Sequence, residues 1–147
     1  MTSDGLASSA KLSPLVLDSW PVMEWFRGKP AGDRFADLLL EASRQERILS
    51  ISRINLGEIY YLVAKDYSES QASGLISQLK QMSMRVVSVT DEDIDAAAVL
   101  KGRYPISYAD AFAAHWSIKI DQPLVTGDKE LLKLRDAGVL QLVWIGK

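Results

Sequence analysis

Four carboxylates in this sequence stand at places where side chains can do chemistry. Asp18 directly follows the apolar residues 15–17, and Asp128 follows a second short apolar run at 123–125. Both runs predict buried strands. Ligands in open α/β sheets bind just beyond the carboxyl ends of the strands, so both acids stand where a binding site would begin. An Asp before a helix is also a good N-cap, which is the alternative for each.

The other two acids, Glu58 and Asp110, lie within predicted helices. The helix at 55–66 carries apolar residues on both of its faces, including the face that carries Glu58, and this pattern is typical of a buried helix. A buried charge without a partner is very costly, and Lys65 is one candidate partner for Glu58. Asp110 opens an alanine-rich helix at 107–118, either as part of a capping box or as an acid brought close to the strand ends.

Carboxylates that converge in this way repel one another and raise each other's pKa unless cations lie between them. One or two Mg²⁺ or Mn²⁺ ions would make the cluster physically reasonable, because these cations prefer oxygen ligands. Two such ions about 4 Å apart can activate a water and stabilise the leaving oxygen of a phosphodiester. The chain has no cysteine and one histidine, which excludes thiolate sites and sites built on several imidazoles.

The remaining acids give a contrast. Asp91, Glu92 and Asp93 follow Thr90 at the start of a predicted helix, where a capping box accounts for them. His115 lies five residues after Asp110 and therefore on another side of its helix, so we expect a packed or surface imidazole there.

The elements that must position the four acids alternate between strand and helix. Strands are predicted at 15–17, 48–52, 85–89, 123–125 and 140–144, and helices at 22–26, 32–44, 55–66, 70–82, 91–101, 107–118 and 128–136. This alternation indicates an α/β fold with a parallel sheet and helices on both faces. The 147 residues, 48% hydrophobic and 24% charged, suit one globular domain. We expect no membrane span, because no run of about 18 apolar residues occurs.

Residues 1–13 are small, polar and aperiodic, without the apolar core of a signal peptide. We expect a flexible leader there, a single domain over 14–147, and a cytoplasmic protein.

Four segments in this order and spacing resemble the PIN domain, and more narrowly the VapC-type toxins of toxin–antitoxin pairs: LVLDS, NLGEIYYL, SYADAFAA and LVTGDKEL. The resemblance implies a three-layer α/β/α fold with four or five parallel strands, and a Mg²⁺-dependent endoribonuclease, with Mn²⁺ as another possible ion. It places the metal-binding acids at Asp18, Glu58, Asp110 and Asp128. Thr126 matches a hydroxyl residue that the family often carries, and Glu130 matches an additional acid of some members.

The resemblance also implies partners, namely an RNA substrate, a VapB-like antitoxin and a second copy of the chain. The dimer or antitoxin surface would include apolar residues of the helix at 70–82 and nearby tyrosines: Leu75, Ile76, Leu79, Met82, Tyr60, Tyr61 and Tyr67. Plain core packing is the alternative for these side chains.

The net charge of −2 includes the four proposed ligands, so the rest of the chain carries +2. Several basic residues lie close in sequence to the acids and could hold phosphates without reading bases: Arg27, Lys29, Arg34, Lys101, Arg103, Lys129 and Lys133.

Three rival hypotheses stay open. The first is a catalytically inactive PIN-like module that binds RNA or protein. The second is a receiver-like signalling domain, which usually has two adjacent acids after its first strand. The third is a phosphatase of the Asp-x-Asp type, for which Trp20 stands where the second Asp would be.

Overall fold

The computed structural model describes residues 12–147; residues 1–11, and with them most of the predicted leader, lie outside the described residues. Five parallel strands form one sheet in the order β3-β2-β1-β4-β5. The strands are β1 Leu15–Leu17, β2 Leu49–Ser52, β3 Arg85–Val87, β4 Leu124–Thr126 and β5 Leu142–Trp144. The prediction of a parallel sheet of four or five strands is confirmed.

Helices connect successive strands. They are α1 Ser19–Phe26, α2 Gly32–Ser43, α3 Arg53–Asp66, α4 Glu69–Gln81, α5 Asp91–Arg103, α6 Tyr108–Ile120 and α7 Leu132–Asp136, and a short 3-10 turn at Lys129–Leu131 precedes α7. The described helices are all too short and too polar to cross a lipid bilayer.

The two faces of the sheet carry separate apolar cores, which gives the three layers. Leu15 and Leu17 point into a core with helices α1 to α4, whereas Val16 points into a core with α5, α6 and α7. Successive side chains of a strand alternate between faces, so a central strand covered on both sides must be apolar throughout. This requirement explains the uninterrupted apolar run at 15–17.

The strand order creates a crevice between β1 and β4. The chain runs outward from β1 through β2 to β3, then returns across the sheet to place β4 on the other side of β1. Connections on the two sides of this point lead away from each other, which leaves space at the carboxyl ends of both strands.

Small side chains on α6 let this helix pack close to the sheet. Ala111, Ala113 and Ala114 are fully buried, and α6 contacts β1, β2 and β4. The close approach brings the first turn of α6, with Asp110, toward the strand ends, as the alanine-rich sequence predicts.

Several element boundaries differ from their predictions. Helix α3 begins at Arg53 rather than Asn55, because the Ser52 hydroxyl accepts the Ile54 and Asn55 N–H groups at 3.1 and 3.3 Å. Strand β3 ends at Val87 rather than 89, and the predicted helix at 128–136 divides into the 3-10 turn and α7.

Two predictions about burial need correction. The prediction that α3 is buried on both sides is wrong, because Tyr61 on its second side is 55% exposed. On α4, Leu75 and Leu79 belong to the core and not to a partner surface, as the alternative of plain core packing predicts. Of the residues predicted to form a partner surface, Tyr61 and Tyr67 are the exposed ones.

The capping box at the start of α5 is confirmed, and its Asp93 also makes contacts beyond this helix. Thr90 and Asp93 exchange N–H hydrogen bonds of 2.9 and 3.2 Å. The buried Asp93 carboxylate also lies 2.7 Å from His115 Nε2 and accepts a 2.9 Å bond from Lys119 Nζ. These bonds, His115 first, lower the pKa of Asp93 below its ordinary value and tie α5 to α6.

Replacing Asp93 with Asn should lower the free energy of unfolding at pH 7 by about 2 kcal/mol, because a charged hydrogen-bond acceptor is lost. A carboxyl group with a lowered pKa stabilises the fold above its ordinary pKa and loses that effect as the pH falls. Urea unfolding between pH 7 and pH 3 should therefore show a smaller acid-dependent loss for Asp93→Asn than for wild type.

Asp91→Asn, at an exposed position in the same helix turn, is the matched control and should change stability by a few tenths of a kcal/mol. Equal acid sensitivity of Asp93→Asn and wild type would contradict this role for Asp93.

Candidate metal centre

Asp18 lies at the end of β1 and is 1% exposed. Its Oδ1 accepts the Trp20 N–H at 3.0 Å and so caps α1, and its Oδ2 accepts the Thr126 hydroxyl at 2.6 Å. Asp18 is therefore the N-cap of α1, and its second carboxylate oxygen faces β4. Burial first, and then the charges of Asp128 and Glu58, raise the pKa of Asp18 to about 8 against the opposing effect of these two hydrogen bonds.

Thr126, the last residue of β4, connects two of the predicted acids. Its hydroxyl donates to Asp18, and the same oxygen accepts the backbone N–H of Asp128 at 3.0 Å. A single fully buried side chain thus fixes the carboxylate that follows β1 and the backbone that carries the acid after β4. Asp128 in turn accepts the Glu130 N–H at 3.0 Å and caps the 3-10 turn.

Glu58 reaches the same edge of the sheet from α3 and is half-buried. The Ser19 hydroxyl donates a hydrogen bond to Glu58 Oε1. Burial raises the pKa of Glu58, and Asp128 adds to the rise. Within residues 12–147, Lys65 forms no ion pair with Glu58, so Ser19 takes the place of the predicted partner.

Asp110 lies in the first turn of α6 and is 3% exposed. Its N–H donates to Ser107 Oγ at 3.1 Å, which is the capping bond predicted for this pair. Its carboxylate does not complete a capping box, and the buried Oδ2 has no hydrogen-bond partner among the described residues. Burial first, and then the neighbouring Asp128, raise the pKa of Asp110 far above its ordinary range.

Three of the carboxylates come close enough to share one cation. Oxygens of Asp110, Asp128 and Glu130 all lie within 4.8 Å of one another. Asp18 and Glu58 lie outside this group of three but are coupled to it, because the charge of Asp128 adds to the effect of burial in raising the pKa of both. The resemblance implies Glu130 only as an additional acid, whereas in the structure it lies in the tightest group of carboxylates.

The donor set fits a hard divalent cation. All five side chains offer carboxylate oxygens, which suit Mg²⁺ and Mn²⁺, and a buried carboxylate oxygen without a donor is a natural ligand atom. His115 lies instead against Asp93 on α5, the packed position that its spacing from Asp110 predicts. Mutual repulsion of the acids is the cost that a cation would remove.

The sequence profile of the PIN domain matches residues 15–137. The chain belongs to the PIN domain family. No protein with a curated description matches it by sequence.

Solved structures of the same fold agree with this membership. A chain of VapBC2 from Rickettsia felis bound to a promoter DNA fragment superposes with a TM-score of 0.65 at 18% identity, covering 88% of this chain and 96% of that one. VapBC-1 from nontypeable Haemophilus influenzae gives 0.64 at 18% identity, covering 91% and 99%. DNA-bound VapBC from Salmonella typhimurium gives 0.66 at 15% identity, with the same coverage. At such identities the likeness shows the fold of this PIN domain.

Sequence reasoning missed two polar residues of the site. Ser19 holds Glu58, and the signal for it was a hydroxyl residue next to the acid that ends β1. Asn55 is fully buried three residues before Glu58, and its Nδ2 donates to the Ala109 carbonyl at 3.2 Å. An amide on the apolar stripe of a helix was the available sign that Asn55 has a polar partner inside the protein.

Replacing Asp110 with Asn should stabilise the metal-free protein by roughly 2 kcal/mol at pH 8, since it removes a buried, repelled carboxylate. Groups with raised pKa values bind protons in the folded state that the unfolded chain has released. Wild-type stability should therefore fall as the pH rises from about 4 toward 8, and the advantage of Asp110→Asn should grow over the same interval. Urea unfolding in EDTA at pH 5 and pH 8 measures both effects.

Asp33→Asn, in the first turn of α2, changes an exposed acid and is the matched control. A loss of stability in Asp110→Asn at pH 8 would show that the Asp110 carboxylate is paired rather than repelled.

Proposed function

We propose that this PIN domain is a metal-dependent endoribonuclease of the VapC type that hydrolyses RNA phosphodiester bonds. The observation that carries the proposal is the group of three carboxylates, Asp110, Asp128 and Glu130, in which the buried Asp110 Oδ2 lacks a partner among the described residues. A protein that tolerates such repulsion in its metal-free state gains from it when cations bind.

Asp18, Glu58, Asp110 and Asp128 are the proposed ligands of Mg²⁺, or of Mn²⁺, and Glu130 is a further candidate beside Asp110 and Asp128. When bound, these ions would polarise a water and stabilise the charge that develops on the phosphate. The protein's own part is to hold the carboxylates in place. Thr126 orients Asp18, Ser19 orients Glu58, and the cap on α6 fixes the turn that carries Asp110.

The partners follow from the same proposal. The similar structures are described as VapBC complexes, which supports a VapB-like antitoxin as the protein partner of this chain. A homodimer or antitoxin surface would use the exposed Tyr61 and Tyr67 with the partly buried Ile76 and Met82. We further propose a cytoplasmic protein with one PIN-like domain over 14–147.

Asp18→Asn should reduce RNA cleavage at least about 100-fold and leave the fold intact, because Asn keeps the acceptor for the Trp20 N–H but loses the charge. The measurement is cleavage of total cellular RNA by the purified, partner-free protein, in Mg²⁺ and in EDTA, with sequencing of the 5′-phosphate ends.

Asp33→Asn should cleave at the wild-type rate. Undiminished cleavage by Asp18→Asn would remove Asp18 from the site. A folded wild-type protein that binds RNA but cuts none in Mg²⁺ or Mn²⁺ would overturn the nuclease in favour of the inactive binding module.

Thr126→Val should raise the Mg²⁺ concentration needed for half-maximal cleavage by about 10- to 100-fold, since it removes the hydroxyl that orients Asp18. Thr126→Ser retains the hydroxyl and should restore most of the metal affinity. A Val variant with wild-type metal dependence would show that the Thr126 hydroxyl is structural and does not position a ligand.

A further inference from the structure

A pocket of about 470 Å³ opens directly beside the acid cluster and shares Asp128 with it. Its walls come from the start of α1, the loop before α2, the turn after β4 and the segment after β5; they include Trp20, Lys29, Gly127, Lys129 and Ile145. The volume falls within the range of about 300–1,000 Å³ typical of small-ligand sites. Of the residues that line this pocket, only Asp128 is a proposed metal ligand, so metal binding does not explain the pocket.

The aromatic wall of this pocket has a fixed position. A Cβ added at Gly127 would overlap the six-membered ring of Trp20, so the ring lies directly against the Gly127 backbone. The backbone N–H of Trp20 donates to the Asp18 carboxylate, which connects Trp20 to the proposed ligand after β1. Trp20 is only partly buried, and it is one of the residues that line the pocket. The pocket therefore presents a held indole two residues from Asp18.

Three lysines, Lys29, Lys129 and Lys147, line the pocket together with the carboxylates of Glu24 and Asp128. Lys29 and Lys129 are both exposed and line it, one on the α1 side and one next to Asp128. By contrast, Arg27 from the same basic stretch lies 3.5 Å from Asp66 and pairs with it. Lysines beside an aromatic surface suit a ligand with a flat ring and nearby negative charge, which are the two parts of a nucleotide.

We propose that this pocket binds one unstacked base of single-stranded RNA, with the base on Trp20 and the adjoining phosphates on Lys29 and Lys129. The inference rests on the proposed function, because the shared Asp128 places that nucleotide next to the bond to be cut. A base can reach an indole only when it is unpaired, so the pocket makes the enzyme specific for single strands and loops. Stacking is tolerant of base identity, so the site selects strandedness more than sequence.

The test uses binding rather than cleavage. In an Asp18→Asn background with Mg²⁺, the affinity of fluorescein-labelled hexauridylate is measured by anisotropy at several salt concentrations. Trp20→Leu should weaken binding about tenfold, whereas Trp20→Phe should stay within about threefold of the background. Lys29→Gln and Lys129→Gln should each reduce the slope of log K against log salt by about 0.7. An unlabelled RNA duplex of 12 base pairs should compete poorly.

Lys80→Gln, on α4 and outside the pocket, is the charge-matched control and should leave the slope unchanged. Hexauridylate binding that is equal in the background, Trp20→Leu and both lysine variants would overturn the pocket and leave the nuclease standing. Lysine effects without an effect of Trp20→Leu would overturn the stacked base. If Trp20→Leu fails to fold, Trp20→Phe decides the question. A loss of affinity in Trp20→Phe that is no larger than its own unfolded fraction explains would count against stacking. Absence of both hexauridylate binding and wild-type RNA cleavage would overturn the proposed function itself.

Discussion

Repulsion among buried carboxylates is the constraint on which the rest of this structure depends. Asp18 and Asp110 are almost fully buried, and this burial, together with the charge of Asp128, raises the pKa of both. An isolated group of this kind would separate or become protonated. It persists because each acid is attached to an element that the core fixes. Asp18 follows a central strand, Asp110 opens a helix packed on the sheet, and Thr126 joins Asp18 to the turn after β4.

Close backbone approach is the means by which the fold brings these acids together. The alanines of α6 allow a whole helix to lie near the strand ends, and Gly127 leaves room for the Trp20 ring where any side chain would displace it. Gly146, after β5, would likewise place a Cβ against the Gly127 backbone. Small residues at these points are therefore part of the site, although they carry no reactive group.

The order of strands and helices, and the acids at strand ends, follow from local sequence pattern. An apolar run followed by Asp predicts both the strand and the position of the acid relative to the sheet, as for Asp18 and Asp128. Contacts between distant segments do not follow in this way. Ser19 and Glu58 are 39 residues apart, and Thr126 and Asp18 are 108 apart, so their hydrogen bonds depend on how α3 and β4 pack. The same holds for Asp93, where the capping box was predictable and the contacts to His115 and Lys119 were not. Glu130 shows the limit most clearly, because the fold of the turn after Asp128 decides its place beside Asp110.

A cluster of acids that acts on RNA must also overcome its repulsion of the phosphate backbone. Bound cations neutralise part of that charge, and with the four proposed ligands set aside the rest of the chain carries +2. Net charge alone cannot position an RNA strand, however, because exposed charges are screened beyond about 10 Å at ordinary salt concentrations. Lys129 directly follows Asp128 in the chain, and Lys29 lines the pocket to which Asp128 also contributes. A base stacked on Trp20, as proposed, would add an attraction that salt does not weaken, since stacking is not an interaction between net charges. Under the proposed function this arrangement separates two tasks: the acids would bind cations, and the neighbouring pocket would hold the substrate against the repulsion of those same acids.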